Sequence, residues 1–368
     1  MPKDNMTIEI DGVEYENFTN VSLRKSLEDF TSSFRFTGAF GIGYNVKNNS
    51  RCRIFVNNKS LLYGYIEKAT PSNSNDGRSM DFEGRCRTAD LADSSLTTSI
   101  NVTGGKTLAQ IIKQVLASLG LSEIKIVEKI PKLKPFLETE IIDSEPDQNA
   151  FDFINQYAQK RSVILITDGD GNIVLTRASG EKLSEKLINK IGDKNQNNII
   201  SSTSDYNNSN RYNKITVISQ ENSLASGAEF SENSVGIKGS AIDSQIRKSR
   251  QLIIQAENAS SIEDCQQIAL FQVNIRRAKA FNYSCKVKYF GLSNSNIWEY
   301  NKLVNVLDQS LDIQAELLIN AITYDYSTNN GSGVSLNLTH QDAYTLEAEM
   351  NRLTARQNKT GEEFNLEI

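Results

Sequence analysis

Residues 302–339, KLVNVLDQSLDIQAELLINAITYDYSTNNGSGVSLNLT, constrain the fold more tightly than any other stretch. Leu318, Ile322, Tyr324 and Tyr326 fall on one face of an extended chain, with Ala321, Thr323 and Asp325 on the other. Val334, Leu336 and Leu338 alternate in the same way with Ser335, Asn337 and Thr339. A period of two over this length predicts a pair of half-buried antiparallel strands. Between them, residues 327–333 are polar and contain two glycines, which can take the positive φ of a hairpin turn. Residues 303–307 supply a third strand.

A chain of 368 residues with 38% apolar content can bury a sizeable core and has room for two to four domains. Short apolar runs broken by Ser- and Asn-rich turns favour β structure over a helical bundle. No run of 18 apolar residues exists, so no membrane span is expected, and the opening MPKDNMTIEIDG has no apolar signal core. The net charge of −5, from 40 Lys and Arg against 45 Asp and Glu, is spread along the chain. That argues against nucleic-acid binding, which concentrates positive charge to replace phosphate counterions. Cys52, Cys86, Cys265 and Cys285 show no C-x-x-C spacing and are expected reduced. With His340 the sole histidine, a zinc site is not expected either.

Residues 7–67 read as successive strands, in which Phe34 and Phe36 alternate with Arg35 and Thr37, and Ile54 and Val56 with Arg53 and Phe55. Residues 71–78, PSNSNDGR, form a turn or exposed loop. In residues 80–96, MDFEGRCRTADLADSSL, a strand runs into a turn, and Gly84 permits a kink or a close backbone approach. Its charged residues are assigned structural roles such as turn hydrogen bonds. Residues 103–120 predict an amphipathic helix, with Leu108, Ile111, Ile112, Val115, Leu116 and Leu119 on one face and Gly120 as its stop. The GGKT before it is not a phosphate loop, because Ile100 stands where the leading glycine is required.

A second helix is expected over residues 148–160, with Asp147 near its start as a cap, and a hairpin over residues 162–177 with DGDGN as its turn. DGDGN does not continue as a calcium loop, since Ile173 and Ser179 occupy the positions of the required glycine and glutamate. Residues 181–194, with Leu183, Leu187 and Ile191 in step, read as a short helix, and residues 195–213 as a polar exposed connection. Strands follow at 214–220 and 249–257, with a Gly- and Ser-rich loop or arm at 223–240 between them. A helix at 260–279 and a strand at 286–290 lead into the closing sheet. The end of the chain is polar and weakly helical, a tail that orders on a partner.

Several of these phrases carry a resemblance. The V-x-V-x-D of residues 304–308, LDIQAELLINAITYDYS, a glycine turn and SLNLT are similar to the C-terminal part of the baseplate hub proteins of Mu-like contractile-tailed phages. Gly84, Arg85, Thr88, Asp90, Leu91, Asp93 and Ser94 match that family's G-R-x-x-T-x-D-L-x-D-x-S phrase, and residues 171–177 resemble its GN-x-V-L-T-R. The likeness runs in the family's order over residues 21–345 and extends to hubs of type VI spikes and tailocins. It departs from the pattern in the asparagine-rich linker and the C-terminal tail.

The resemblance implies a β-rich α+β fold of two similar β-barrel domains, with an inserted small α/β module and a short helical segment. The expected division is 1–98 (first barrel), 99–180 (module), 181–213 (helical segment and linker), 214–345 (second barrel region) and 346–368 (tail). It implies a homotrimer presenting a pseudo-sixfold ring that joins a sixfold tail tube to a threefold spike. The implied partners are the central spike protein, the tail tube or tube-initiator protein and other baseplate components. The implied place is the virion baseplate, assembled in the host bacterial cytoplasm. No catalytic residue, cofactor or metal is expected. Two other classes compete: a lysozyme-like, peptidoglycan-cleaving enzyme with two carboxylates, and a glycan-binding adhesin, for which Trp298 and scattered tyrosines are slender support. Clearing of peptidoglycan or glycan binding by the isolated chain would discriminate them.

Overall fold

A computed structural model describes residues 4–344 apart from short internal segments, of which 220–236 is the longest. The expected arm at 223–240 lies largely outside the described residues, as does the tail. Two compact units divide the chain. One holds residues up to Thr203 together with Tyr283–Leu338, the other Ser204–Asn282 and the chain from Thr339.

The first unit opens with a hairpin, β1 (Met6–Ile10) and β2 (Val13–Tyr15), turned through Asp11 and Gly12 at positive φ. It continues through β3 (Phe18–Ser26), β4 (Ser33–Ala39), β5 (Arg51–Val56), β6 (Lys59–Ser74) and β7 (Gly77–Cys86). The period-two reading holds residue by residue. Val21, Leu23, Phe34, Phe36, Ile54 and Val56 are buried, and Phe36 stacks on Phe82 with ring centroids 4.7 Å apart.

An α/β stretch of the same unit follows: α1 (Ala89–Asp93), β8 (Asn101–Val102), α2 (Leu108–Ser118), β9 (Ile126–Glu128), β10 (Ile142–Asp143), α3 (Ala150–Lys160), β11 (Ile164–Thr167) and β12 (Ile173–Thr176). Thr107 and Gln110 form a reciprocal capping box that starts α2. The two helices bury Ile111, Ile112, Val115, Phe153 and Ile154 against Leu165, Ile173 and Leu175 of the β11–β12 hairpin. The cap of α3 is Asn149, whose carboxamide accepts from Asp152 N. Asp147, the expected cap, lies two residues earlier at φ 61°.

Of the helix expected over residues 181–194, the described residues 181–192 do not form one. They hold β13 (Lys182–Asn189), and β14 (Ile199–Tyr206) occupies much of the expected polar connection. A spacing of four between Leu183 and Leu187 fits a helix face and a strand face equally well. The neighbour decides, because β13 pairs in parallel with β19 (Leu303–Asp308). The asparagines are clips: Asn198 Oδ1 accepts from Ile188 N, and Asn197 Oδ1 from Lys190 N, both at 2.8 Å.

In the second unit β15 (Lys214–Ser219) lies between β16 (Lys238–Ile242) and β17 (Gln251–Ala256). The helix α4 (Ile262–Ala280) covers one face around Val217, Cys265 and Ala269. A Cβ on Gly239 would stand 2.2 Å from Gln266 N, so helix backbone rests on sheet backbone. Asp243, fully buried, accepts from both Arg211 and Arg277.

The last strands are β18 (Phe281–Val287), which starts five residues earlier than expected, β20 (Ile313–Ser327) and β21 (Gly331–Thr339). The main sheet has thirteen strands along the path β14-β18-β21-β20-β3-β4-β7-β6-β5-β1-β2, with β19 joining β13 to β20. The β-rich α+β class therefore holds, but the sheet is not two closed barrels. The reason is the length of β20: residues 313–318 pair with β19, while Ala321–Ser327 pair with Ser26–Asn20 of β3, which welds the two expected barrels into one open path.

At Gly84 an added Cβ would stand 2.1 Å from Tyr65 O and 2.5 Å from Phe34 Cζ, the close approach anticipated there. Backbone cannot retreat in the middle of a paired sheet. Gly84→Ala is expected to cost about 3 kcal/mol or more, read as a lower denaturant midpoint at unchanged m-value.

Candidate functional site

The G-R-x-x-T-x-D-L phrase fastens elements together. Arg85 donates to Glu67 at 2.8 and 3.0 Å and to Asp93 at 3.1 Å, tying β7 to β6 and to the short helix α1. Its hydrogen bonds to Asp93, then to Glu67, hold the guanidinium above its ordinary range, and Arg85 holds the Asp93 carboxyl below its own. Thr88 is fully buried, and its hydroxyl lies 2.9 Å from both Cys86 Sγ and Thr167 Oγ1. Thr167 spends its single proton on Phe30 O. The direction of the relay is thereby fixed: the Cys86 thiol donates to Thr88, and Thr88 donates to Thr167.

The hairpin tip at residues 168–172 docks on the first sheet. Asp168 serves the turn itself, its carboxylate accepting from Asp170 N, Asn172 N and Asn172 Nδ2. A Cβ on Gly169 would fall 1.9 Å from Ser60 O. Arg87, buried and 5.1 Å from the Tyr63 ring centroid, donates to Gly171 O at 3.0 Å and to Asn172 Oδ1 at 2.7 Å. From the C-terminal side, Tyr300 Oη donates to Thr167 O at 3.1 Å, and Asn301 bonds Thr176, Arg177 and Ser179.

These three segments enclose a cleft of about 490 Å³. Lys25 of β3 reaches into it with only 6% of its surface exposed. Its ammonium donates to Leu61 O at 3.0 Å and sits 5.6 Å from the Tyr300 ring centroid. Among the described residues no carboxylate lies within ion-pair distance of it. Burial lowers its pKa from 10.5 to about 8, with Cys86, Asp168 and Glu299 opposing from further away. Two ion pairs stand at the cleft, Lys59 with Glu299 and Lys302 with Glu181. Sequence reading passed over Lys25 because it occupies an inward position in an otherwise apolar strand pattern, the signal that could have found it.

Elsewhere the polar groups are committed to structure. Asp308, fully buried, accepts from Tyr283, Ser202 and Asn189. Asp90, beside the Arg85 cluster, is pushed upward by burial and then by Glu67 and Asp93. All four cysteines are free and buried, and burial pushes the Cys285 thiol up to about 12. His340 packs against Phe281 at 5.1 Å, and burial lowers its pKa. Among the described residues no group of three or more His, Cys, Asp or Glu is placed to hold a metal, and no helix is long and apolar enough to cross a membrane.

Known proteins carry the same architecture. Residues 5–86 match the family described as Mu phage baseplate assembly protein GpP-like, N-terminal, and residues 88–177 match baseplate hub protein gp44-like, second domain. The 43 kDa tail protein of prophage MuSo2 from Shewanella oneidensis superposes with a TM-score of 0.77 at 24% identity, covering 93% of this chain and 99% of that one. The tail protein of Neisseria meningitidis MC58 gives 0.78 at 19%, covering 94% and 99%. The chain therefore shares the fold of these two tail proteins. Baseplate hub protein gp44 of Escherichia phage Mu is 22% identical over 366 residues, 95% of this chain and 91% of that protein. The resemblance to the baseplate hub proteins of Mu-like phages holds over nearly the whole chain.

Two outcomes are expected. Arg87→Met removes two hydrogen bonds from a charged donor, each worth about 1.5–3 kcal/mol. Hydrogen exchange should quicken selectively in the β11–β12 hairpin. Because the fold disfavours the Lys25 ammonium, the unfolded chain holds that proton more tightly. The penalty is full below about pH 8 and is relieved as pH rises toward 10.5. Wild type should therefore gain stability relative to Lys25→Met across this window, by at most about 3 kcal/mol, measured by urea unfolding at several pH values.

Proposed function

We propose that the chain is a structural hub of a contractile-tail baseplate that assembles as a homotrimer. The observation that carries this reading is the serial match: both matched families follow one another without overlap, and the likeness to the Mu hub protein continues over 95% of the chain. In this reading the N-terminal strands β1–β7 and the C-terminal strands β13, β14 and β18–β21 are two related halves of the main sheet, with the α/β module between them. Three copies then present six similar elements to a sixfold tail tube, and three identical ones to the central spike. Closed rings of this kind arise from repeated head-to-tail contacts.

Physical features support a scaffold. The outer face of the main sheet is polar and cross-linked between strands, with Ser22 donating to Asp325 at 2.8 Å and Thr37 to Asp81 at 2.6 Å. The cleft's carboxylates are engaged by ion pairs or by the turn, which leaves no pair arranged as acid and base. The hub would be assembled in the bacterial cytoplasm and carried in the virion, with spike, tube or tube-initiator and other baseplate proteins as its partners.

Sedimentation equilibrium should return three times 41.0 kDa, and the protein should bind a spike protein without turnover. A monomer at all concentrations, six equivalent copies in a particle, or clearing of peptidoglycan that one carboxylate substitution abolishes would each overturn the reading.

A further inference from the structure

We propose that the cleft under the hairpin is a carboxylate-binding site in which Lys25 is the counter-ion. A lysine ammonium has three protons to donate and is normally buried only with an anion. Here one proton goes to Leu61 O, the Tyr300 ring lies alongside, and among the described residues no carboxylate stands within ion-pair distance. The side chain is more than nine-tenths buried yet lines an open space of about 490 Å³, within the range that accommodates small ligands and peptide ends. A charge sequestered in this way, with room in front of it, is a binding site for the group it lacks.

The lining specifies the charge of the ligand. It carries five cationic side chains against three carboxylates, an excess of two. Glu299 and Glu181 are matched by Lys59 and Lys302, Asp168 is spent on its own turn, and Arg177 donates to Ser162 O and Arg161 O. Among the described residues Lys25 has no carboxylate within ion-pair distance, and Lys129 shares the field of Glu181, which Lys302 already pairs. A monoanion fits this field better than a phosphate dianion, because Glu181 and Glu299 stand on the walls and the surrounding backbone presents carbonyls at Leu61 and Thr167 that already accept hydrogen bonds. Ile130, Ile166 and Val174 add an apolar wall that a bare inorganic ion does not use. The ligand class is therefore an organic carboxylate, supplied by a small acid or by the end of a polypeptide.

The site belongs to the fold and does not depend on the hub reading, so trimerisation and carboxylate binding can fail separately. The full chain is titrated calorimetrically at pH 6.5 and constant chloride with acetate, acetamide, inorganic phosphate, and acetyl-trialanine as free acid and as amide. Acetate and the free-acid peptide should bind saturably, and both neutral amides should bind at least about tenfold more weakly. A peptide about tenfold tighter than acetate identifies a polypeptide end as the source, and equal affinities identify a small acid. Lys25→Met should abolish binding of both while melting cooperatively no lower than wild type. In the unsubstituted protein, the Lys25 13Cε titration midpoint should rise when acetate is present. No saturable carboxylate binding, full binding retained in Lys25→Met, phosphate preferred over acetate, or an unmoved Lys25 titration would overturn the proposal.

Discussion

The main sheet depends on β20. Its fifteen residues are long enough to hydrogen-bond β19 at one end and β3 at the other, so chain separated by some three hundred positions is paired residue for residue. The inward side chains of β3 take their register from that pairing, because a slip of one residue would turn Val21 and Leu23 out to solvent. Tyr324, fully buried on β20, donates to Trp298 O and meets Phe290 edge-on, so the same strand also anchors the segment that walls the cleft.

A second constraint is backbone contact made possible by missing side chains. Gly84 lets β7 lie against Tyr65 O, and Gly169 lets the hairpin tip lie against Ser60 O. Contacts this close leave little freedom to slide, and Arg87 and the Cys86–Thr88–Thr167 relay add directional bonds across the same junction. The α/β module is therefore docked by geometry that tolerates few alternatives. That suits a scaffold whose partners must meet it in one arrangement.

The buried charges follow two different logics. Asp243 sits between two arginines and Asp308 among four neutral donors, each with the partners that a buried carboxylate requires. Lys25 has a carbonyl and an aromatic ring. The contrast sets its cleft apart from the rest of the interior, since its charge has no carboxylate within ion-pair distance among the described residues.

The sequence by itself determined what repeats locally. Alternation fixed the strands around Phe34, Ile54 and Leu336, helical spacing fixed α2, and DGDGN marked the turn of the β11–β12 hairpin. Long phrases in shared order carried the likeness to tail hubs. Only the tertiary structure decided the elements whose pattern fits two periods, as with Leu183 and Leu187 in β13, or whose polarity hid a strand, as in β14. It alone decided that the two expected barrels join in one open sheet, and that Lys25 faces inward with no counter-ion among the described residues. Strand pairing and burial are non-local: they depend on which distant residue stands opposite, and no window along the chain contains both partners.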